Sequence, residues 1–228
     1  MRPDRATVLL LSAVAAGAVL TIVARTNGWA ALVWTFKPLT TIAIIVLAGV
    51  RGHGHGHDRY ARWILAGLVF SLAGDVLLIP EGLFVAGLLA FLVAHVAYLR
   101  ALTTDCRFAA RRMPFAAVAL VAAAIVAALW PGLPAALRLP VLVYVVALGA
   151  MCAQALARAA TLGTAQARRA GLGAAFFMAS DAMLAFDRFH TPLAWAPLLV
   201  LGTYYAAQSL IACSIGSRQS VGRSRSSE

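Results

Sequence analysis

Residues 61–103 read ARWILAGLVFSLAGDVLLIPEGLFVAGLLAFLVAHVAYLRALT. Two apolar runs, 61–79 and 83–103, flank the break Pro80-Glu81-Gly82. Each run is about 20 residues long, the length a helix needs to cross a bilayer core. Neither alternates apolar and polar residues in the manner of a membrane β-strand. Six more runs of this kind lie to either side: 7–24, 30–50, 113–130, 139–157, 170–187 and 192–213. The breaks between them are polar or carry Pro and Gly, as in Arg25-Thr26-Asn27-Gly28 and Pro131 to Arg138. The reading is an all-α, polytopic integral membrane protein. Its eight transmembrane helices form one bundle over residues 1–213, and a basic Ser/Arg-rich tail, 214–228, is expected to be disordered.

Composition agrees. The 228 residues are 62% hydrophobic and 12% charged, with mean hydropathy +0.87. Soluble domains carry about 25% charged residues, so a chain this poor in charge cannot cover a water-facing surface. A soluble globular protein and a disordered chain are both excluded. The net charge is +11, and every basic residue but Lys37 is Arg.

Eight spans sort the arginines by side. Fifteen of the eighteen fall on the side of the N-terminus, in the even-numbered loops and the two tails. Arg25, Arg138 and Arg188 fall on the other side. The positive-inside rule then predicts both termini in the cytoplasm, for a protein integral to the cell (inner) membrane. A seven- or nine-span reading would scramble the split. The excess charge faces anionic headgroups of the lipid bilayer, and no nucleic-acid partner is needed to explain it. The N-terminal run resembles a signal peptide but is long for one and is expected to be retained. Cys106, Cys152 and Cys213 fall on or towards the cytoplasmic side, which predicts free thiols.

Six of the eight acids lie in loops, tails or helix ends. Asp75 and Asp181 lie inside the third and seventh spans, and Lys37 lies inside the second. A charge at mid-membrane costs about 2.5–3.5 kcal/mol on insertion scales, so such groups are functional candidates that face the bundle interior. At about 1.5 Å of rise per residue, all three fall in one layer in the outer third to half of the membrane. Their structural alternative is a set of ties between helices.

Other polar groups share helical faces. Phe84, Gly87, Phe91, His95 and Tyr98 form one face of the fourth span. Ser71, Gly74, Asp75 and Leu78 form one in the third, where Gly74 allows close approach. Gly173, Phe177, Ser180, Asp181 and Leu184 form one in the seventh, and Tyr204, Tyr205 and Gln208 one in the eighth. Taken singly, His95 reads as a hydrogen-bonded interior histidine. The tyrosines and Gln208 read as interhelical hydrogen-bonding residues.

Recognisable soluble-enzyme motifs are missing. The run His53-Gly54-His55-Gly56-His57 reads as a solvated linker more than a metal tract. A catalytic zinc needs three protein ligands, and His95 is the only histidine inside the membrane, so no metal is expected. There is no Gly-x-Ser-x-Gly elbow, P-loop or dinucleotide fingerprint, and no cofactor is expected.

Two neighbouring carboxyls in a low dielectric do not readily both ionise. One keeps its proton and the other holds its charge with a cation nearby. A general acid and a carboxylate in one pocket suit reactions that pass through an oxocarbenium-like cation: acetals, glycosides and enol ethers. In a membrane the substrate would be lipid-like.

The pieces Lys37-Pro38-Leu39, Ser71-x-x-Gly74-Asp75-Val-Leu-Leu, Phe84-x-x-Gly87-x-x-x-Phe91-Leu-x-x-His95-x-x-Tyr98, Phe177-x-x-Ser180-Asp181 and Tyr205-x-x-Gln208 occur in this order. Together they resemble the YhhN-like lysoplasmalogenase family, over about Lys37 to Ile211. The resemblance implies eight spans and hydrolysis of the vinyl ether bond of a lysophospholipid-like substrate, lysoplasmalogen. The products are a fatty aldehyde and a glycerophospho-base. It also implies Asp75 and Asp181 as catalytic carboxylates, with Lys37, His95, Tyr98, Tyr205 and Gln208 as a supporting, substrate-binding polar core. Two other classes suit the same charges: a proton-coupled transporter of a small or lipid-like solute, and a lipid-binding or assembly protein with a structural ion cluster.

Overall fold

The computed structural model describes residues 5–52 and 58–216. The tract His53–His57 and the tail beyond Gly216 lie outside the described residues, and so do the expectations placed on them. The described chain forms eight α-helices: α1 (Arg5–Thr26), α2 (Ala30–Gly52), α3 (Arg59–Leu77), α4 (Phe84–Leu102), α5 (Arg112–Leu129), α6 (Ala135–Leu162), α7 (Ala165–Phe189) and α8 (Ala196–Ala212). Seven are long and apolar enough to cross a membrane. At 17 residues α8 is shorter, about 25 Å, close to the thickness of a bilayer core. Large apolar side chains point outward, among them Leu120 (73% exposed), Leu139 and Val146. Only a hydrocarbon solvent accommodates such a surface, so this is an integral membrane protein.

Local sequence sets the helix ends. Gly28 turns α1 into α2 at φ +69°, and Gly163 closes α6 at φ +64°, both in the left-handed region. Asp58 caps α3 by accepting from the Tyr60 N–H at 2.9 Å. Thr164 caps α7 by accepting from the Ala167 N–H at 3.2 Å.

Six helices close a ring in the order α2, α3, α4, α6, α7, α8. α1 packs outside it against α2 and α8, and α5 packs outside against α6 and α7. The α3–α4 contact is close because two glycines one heptad apart receive aromatic rings. A Cβ on Gly74 would meet the Phe91 ring at 2.5 Å, and one on Gly67 would meet the Tyr98 ring at 2.2 Å.

Several boundaries differ from the sequence reading: α7 begins at Ala165 where 170 was expected, and α8 at Ala196 where 192 was expected. The sixth span, expected over 139–157, runs from Ala135 to Leu162. Arg158 does not end it. Its guanidinium donates to both Asp105 carboxylate oxygens at 2.7 and 2.6 Å and lies 4.7 Å from the Tyr60 ring, so the charge is neutralised inside the helix. Residues 214 and 215, expected in the tail, belong to the packed chain. Ser214 and Ile215 are buried, and Arg51 donates to the carbonyls of Cys213 and Ile215. Arg169 donates to the Cys213 carbonyl too, and Tyr60 and Ser214 share a hydroxyl–hydroxyl bond of 2.6 Å. These contacts gather the ends of α2, α6 and α8 with the starts of α3 and α7 at one end of the bundle, the N-terminal end. All three cysteines are free.

Candidate active site

Asp75 sits in the last turn of α3 and is 1% exposed. Its Oδ2 accepts from the Thr41 hydroxyl and the Tyr204 hydroxyl, each at 2.6 Å. The Lys37 ammonium lies 3.4 Å from Oδ1 and donates to the Asp75 backbone carbonyl at 3.0 Å. Helical spacing explains part of this: Lys37 and Thr41 are four residues apart, one above the other on α2. Two hydroxyl donors and an ammonium offset part of the cost of a negative charge on this buried carboxyl.

Asp181 has a different environment. It lies on α7, half-buried. Its hydrogen-bond partner is the Tyr144 hydroxyl of α6, which donates to Oδ2. No cation pairs with Asp181 among the described residues.

Both carboxyls line one cavity of about 470 Å³. Lys37, Tyr144 and Tyr204 line it with them. The rest of the wall is mostly apolar, built from side chains such as Leu78, Phe91, Ile125, Leu129 and Val141. The volume is in the range of pockets that hold small molecules. The cavity extends from the Asp75 layer towards the end of the bundle away from Arg5, where Arg25, Phe84, Asp187 and Leu193 line it.

Aromatic rings connect the two carboxyl–tyrosine pairs. Tyr204 meets Phe177 edge-on at 5.6 Å, Phe177 meets His95 at 4.8 Å, and His95 meets Tyr144 at 5.1 Å. Phe91 packs edge-on against both Phe177 and Tyr204. Such edge contacts hold ring orientation.

The structure divides the supporting residues named from sequence. Lys37 touches Asp75 directly. Tyr98 and Gln208 stand behind Tyr204. Tyr98 donates to Gln208 Oε1 at 2.8 Å and shares a 3.2 Å bond with Ser71, while Gln208 Nε2 donates to the Tyr204 oxygen at 3.1 Å. They orient the Tyr204 hydroxyl and do not line the cavity. His95 is fully buried, and neither ring nitrogen has a hydrogen-bond partner among the described residues, unlike the hydrogen-bonded interior histidine expected. The Tyr144 and Phe177 rings pack edge-on against it. Tyr205 does not line the cavity, and Thr21 and Thr40 lie beside its hydroxyl.

Tyr144, Thr41 and the central place of Tyr204 escape a sequence reading. Thr41 could be found from its spacing to Lys37. Tyr204 and Tyr205 are adjacent and differ by about 100° around α8, so the face that meets Asp75 depends on how α8 packs. Tyr144 is one hydroxyl in an apolar span and carries no local signal.

Comparison with known proteins places this arrangement. The chain is 36% identical over 211 residues to a lysoplasmalogenase of Mycobacterium tuberculosis, covering 86% of this chain and 77% of that protein. It is 34% identical over 212 residues to lysoplasmalogenase TMEM86A of Bos taurus, covering 89% and 85%. To the human TMEM86A lysoplasmalogenase it is 33% identical over 209 residues, covering 89% and 85%. No solved structure matches it. The sequence profile of the YhhN family matches residues 32–215, which include Lys37, both intramembrane aspartates and all of their partners named above, and the chain therefore belongs to the YhhN family.

Proposed function

We propose that this protein is a membrane-embedded hydrolase that cleaves the vinyl ether bond of lysoplasmalogen or a related ether lysolipid. One observation carries the reading: two aspartates with unlike partners open onto one apolar cavity. The curated relatives are lysoplasmalogenases, and nothing in them favours a carrier.

The partners divide the chemical roles. Asp181 accepts the Tyr144 hydroxyl on Oδ2 and has no cation beside it, so its other oxygen is suited to hold a proton facing the cavity. That proton goes to the vinyl β-carbon, and the resulting cation is an oxocarbenium ion at the ether carbon. Asp75 is charged and held by Lys37, Thr41 and Tyr204, and it stabilises the cation across the cavity. Water adds to the cationic carbon and returns one proton to Asp181. The hemiacetal then breaks its C–O bond to glycerol, giving the fatty aldehyde and the glycerophospho-base. Overall one water is consumed and no electron acceptor is needed. The apolar wall keeps bulk water from the cation.

The arginine distribution further supports both termini in the cytoplasm, with the cavity opening towards the opposite face. The test is aldehyde release from lysoplasmalogen by purified protein. Asp181→Asn is expected to lose about 100-fold or more in kcat, the range for a general acid. Asp75→Asn is expected to lose a similar factor by removing the stabilising charge. Full turnover by either folded variant refutes the two-carboxyl mechanism.

A further inference from the structure

We propose that Arg25 holds the phosphodiester of the lysolipid at the cavity mouth and selects phospholipid substrates over neutral ether lipids. The inference rests on the hydrolase reading and assigns the part of the substrate that does not react.

Three cations stand at the end of the bundle away from Arg5. Two are engaged by rings: Arg188 lies 4.0 Å over Phe84, and Arg138 lies 4.8 Å over Trp130. Arg25 alone of the three lines the cavity. It is exposed and takes part in neither ion pair found among the described residues. Asp187, the carboxylate at this end of the lining, is already engaged, since its Oδ1 accepts the Leu193 N–H at 2.8 Å. Thr21, one turn below Arg25 on α1, also lines the cavity, so this face of α1 looks into it.

Depth gives the second argument. Arg25 is the penultimate residue of α1, at the level where α2 begins. Lys37 lies seven residues into α2, about 10 Å deeper at 1.5 Å per residue. A lysolipid in a bilayer keeps its phosphate at the interface and its ether bond one glycerol backbone deeper, with the chain in hydrocarbon. The cavity repeats that order: a guanidinium at the mouth, the carboxyls below it, and an apolar wall around both. A guanidinium matches phosphate oxygens with two parallel hydrogen bonds, which a neutral glycerol cannot accept in the same way.

The experiment compares purified full-length wild type, Arg25→Gln and Arg25→Lys on two substrates: 1-alkenyl-glycerophosphocholine and phosphate-free 1-alkenylglycerol. Arg25→Gln is expected to raise KM for the phospholipid about tenfold or more, the loss typical of hydrogen bonds to a charged group. KM for the alkenylglycerol should stay within about twofold of wild type, and Arg25→Lys should recover part of the loss. An equal KM change on both substrates, or none on either, overturns the inference. If wild type releases aldehyde from neither substrate, the hydrolase reading fails separately. Binding of two uncleavable probes, 1-O-alkyl-glycerophosphocholine and 1-O-alkylglycerol, then decides the role of Arg25. Weakening of the phospholipid probe alone by Arg25→Gln supports it, and parallel or absent weakening overturns it.

Discussion

Replacing Lys37 with Met gives the sharpest test of how the buried charges are held. The ammonium lies 3.4 Å from Asp75 Oδ1, and the two side chains are 11% and 2% exposed. At an effective dielectric of about 20, a unit pair at this distance interacts by about 5 kcal/mol. The substitution nearly preserves side-chain length but leaves the carboxylate without its cation and the Asp75 carbonyl without its Lys37 donor. Breaking one side of a buried pair costs about 3–5 kcal/mol, because the other charge is stranded. Lys37→Met is therefore expected to destabilise by about that amount. Asp75→Asn alone should cost less, since Lys37 keeps the residue-75 backbone carbonyl as an acceptor and the amide oxygen still accepts from Thr41 or Tyr204. The double variant should be close to Asp75→Asn, so the coupling energy is large. Denaturant unfolding in lipid micelles, read by tryptophan fluorescence over wild type and the three variants, measures it. Lys37→Met should also lose about 100-fold in kcat, because an unpaired Asp75 no longer offers a fixed negative charge. Additive stabilities, or a Lys37→Met protein as stable as wild type, would refute the view that this pair is a unit.

Three further outcomes follow from the geometry. Tyr144→Phe removes the donor to Asp181 and should lower kcat about tenfold or more while moving KM little, measured by aldehyde release. Gly74→Val places atoms inside the Phe91 ring, so it should destabilise by at least about 1–3 kcal/mol and raise KM as Phe91 is pushed into the cavity. Asp105→Ala strands the Arg158 guanidinium. Asp105 is 45% exposed, so solvent screens the loss to about 2 kcal/mol, and turnover per folded molecule should be unchanged because both residues lie at the opposite end from the cavity.

Much of the architecture was legible because a bilayer imposes length and polarity on each element separately. The eight apolar runs reappear as eight helices with ends shifted by a few residues, at the end of α6 because Asp105 neutralises Arg158. The three intramembrane charges were equally visible, since their cost in hydrocarbon does not depend on what surrounds them. The face of α4 was legible as well: Phe91, His95 and Tyr98 are all buried against neighbouring helices.

Partnership was not legible. Sequence marked Lys37, Asp75 and Asp181 as one layer, but the packing of the ring of helices decided that Lys37 serves Asp75 and that Tyr144 serves Asp181. It chose Tyr204 over Tyr205 by rotating α8, and it placed Tyr98 and Gln208 one contact away from the cavity. It left Arg25 on the lining and seated Arg188 and Arg138 on rings. The sequence alone determined which residues are too polar for the membrane, because solvation is a property of each side chain and its depth. Only the tertiary structure decided which of them meet. A hydrogen bond requires a donor within about 3 Å of its acceptor, and helices distant in the chain reach that separation only by the way they pack.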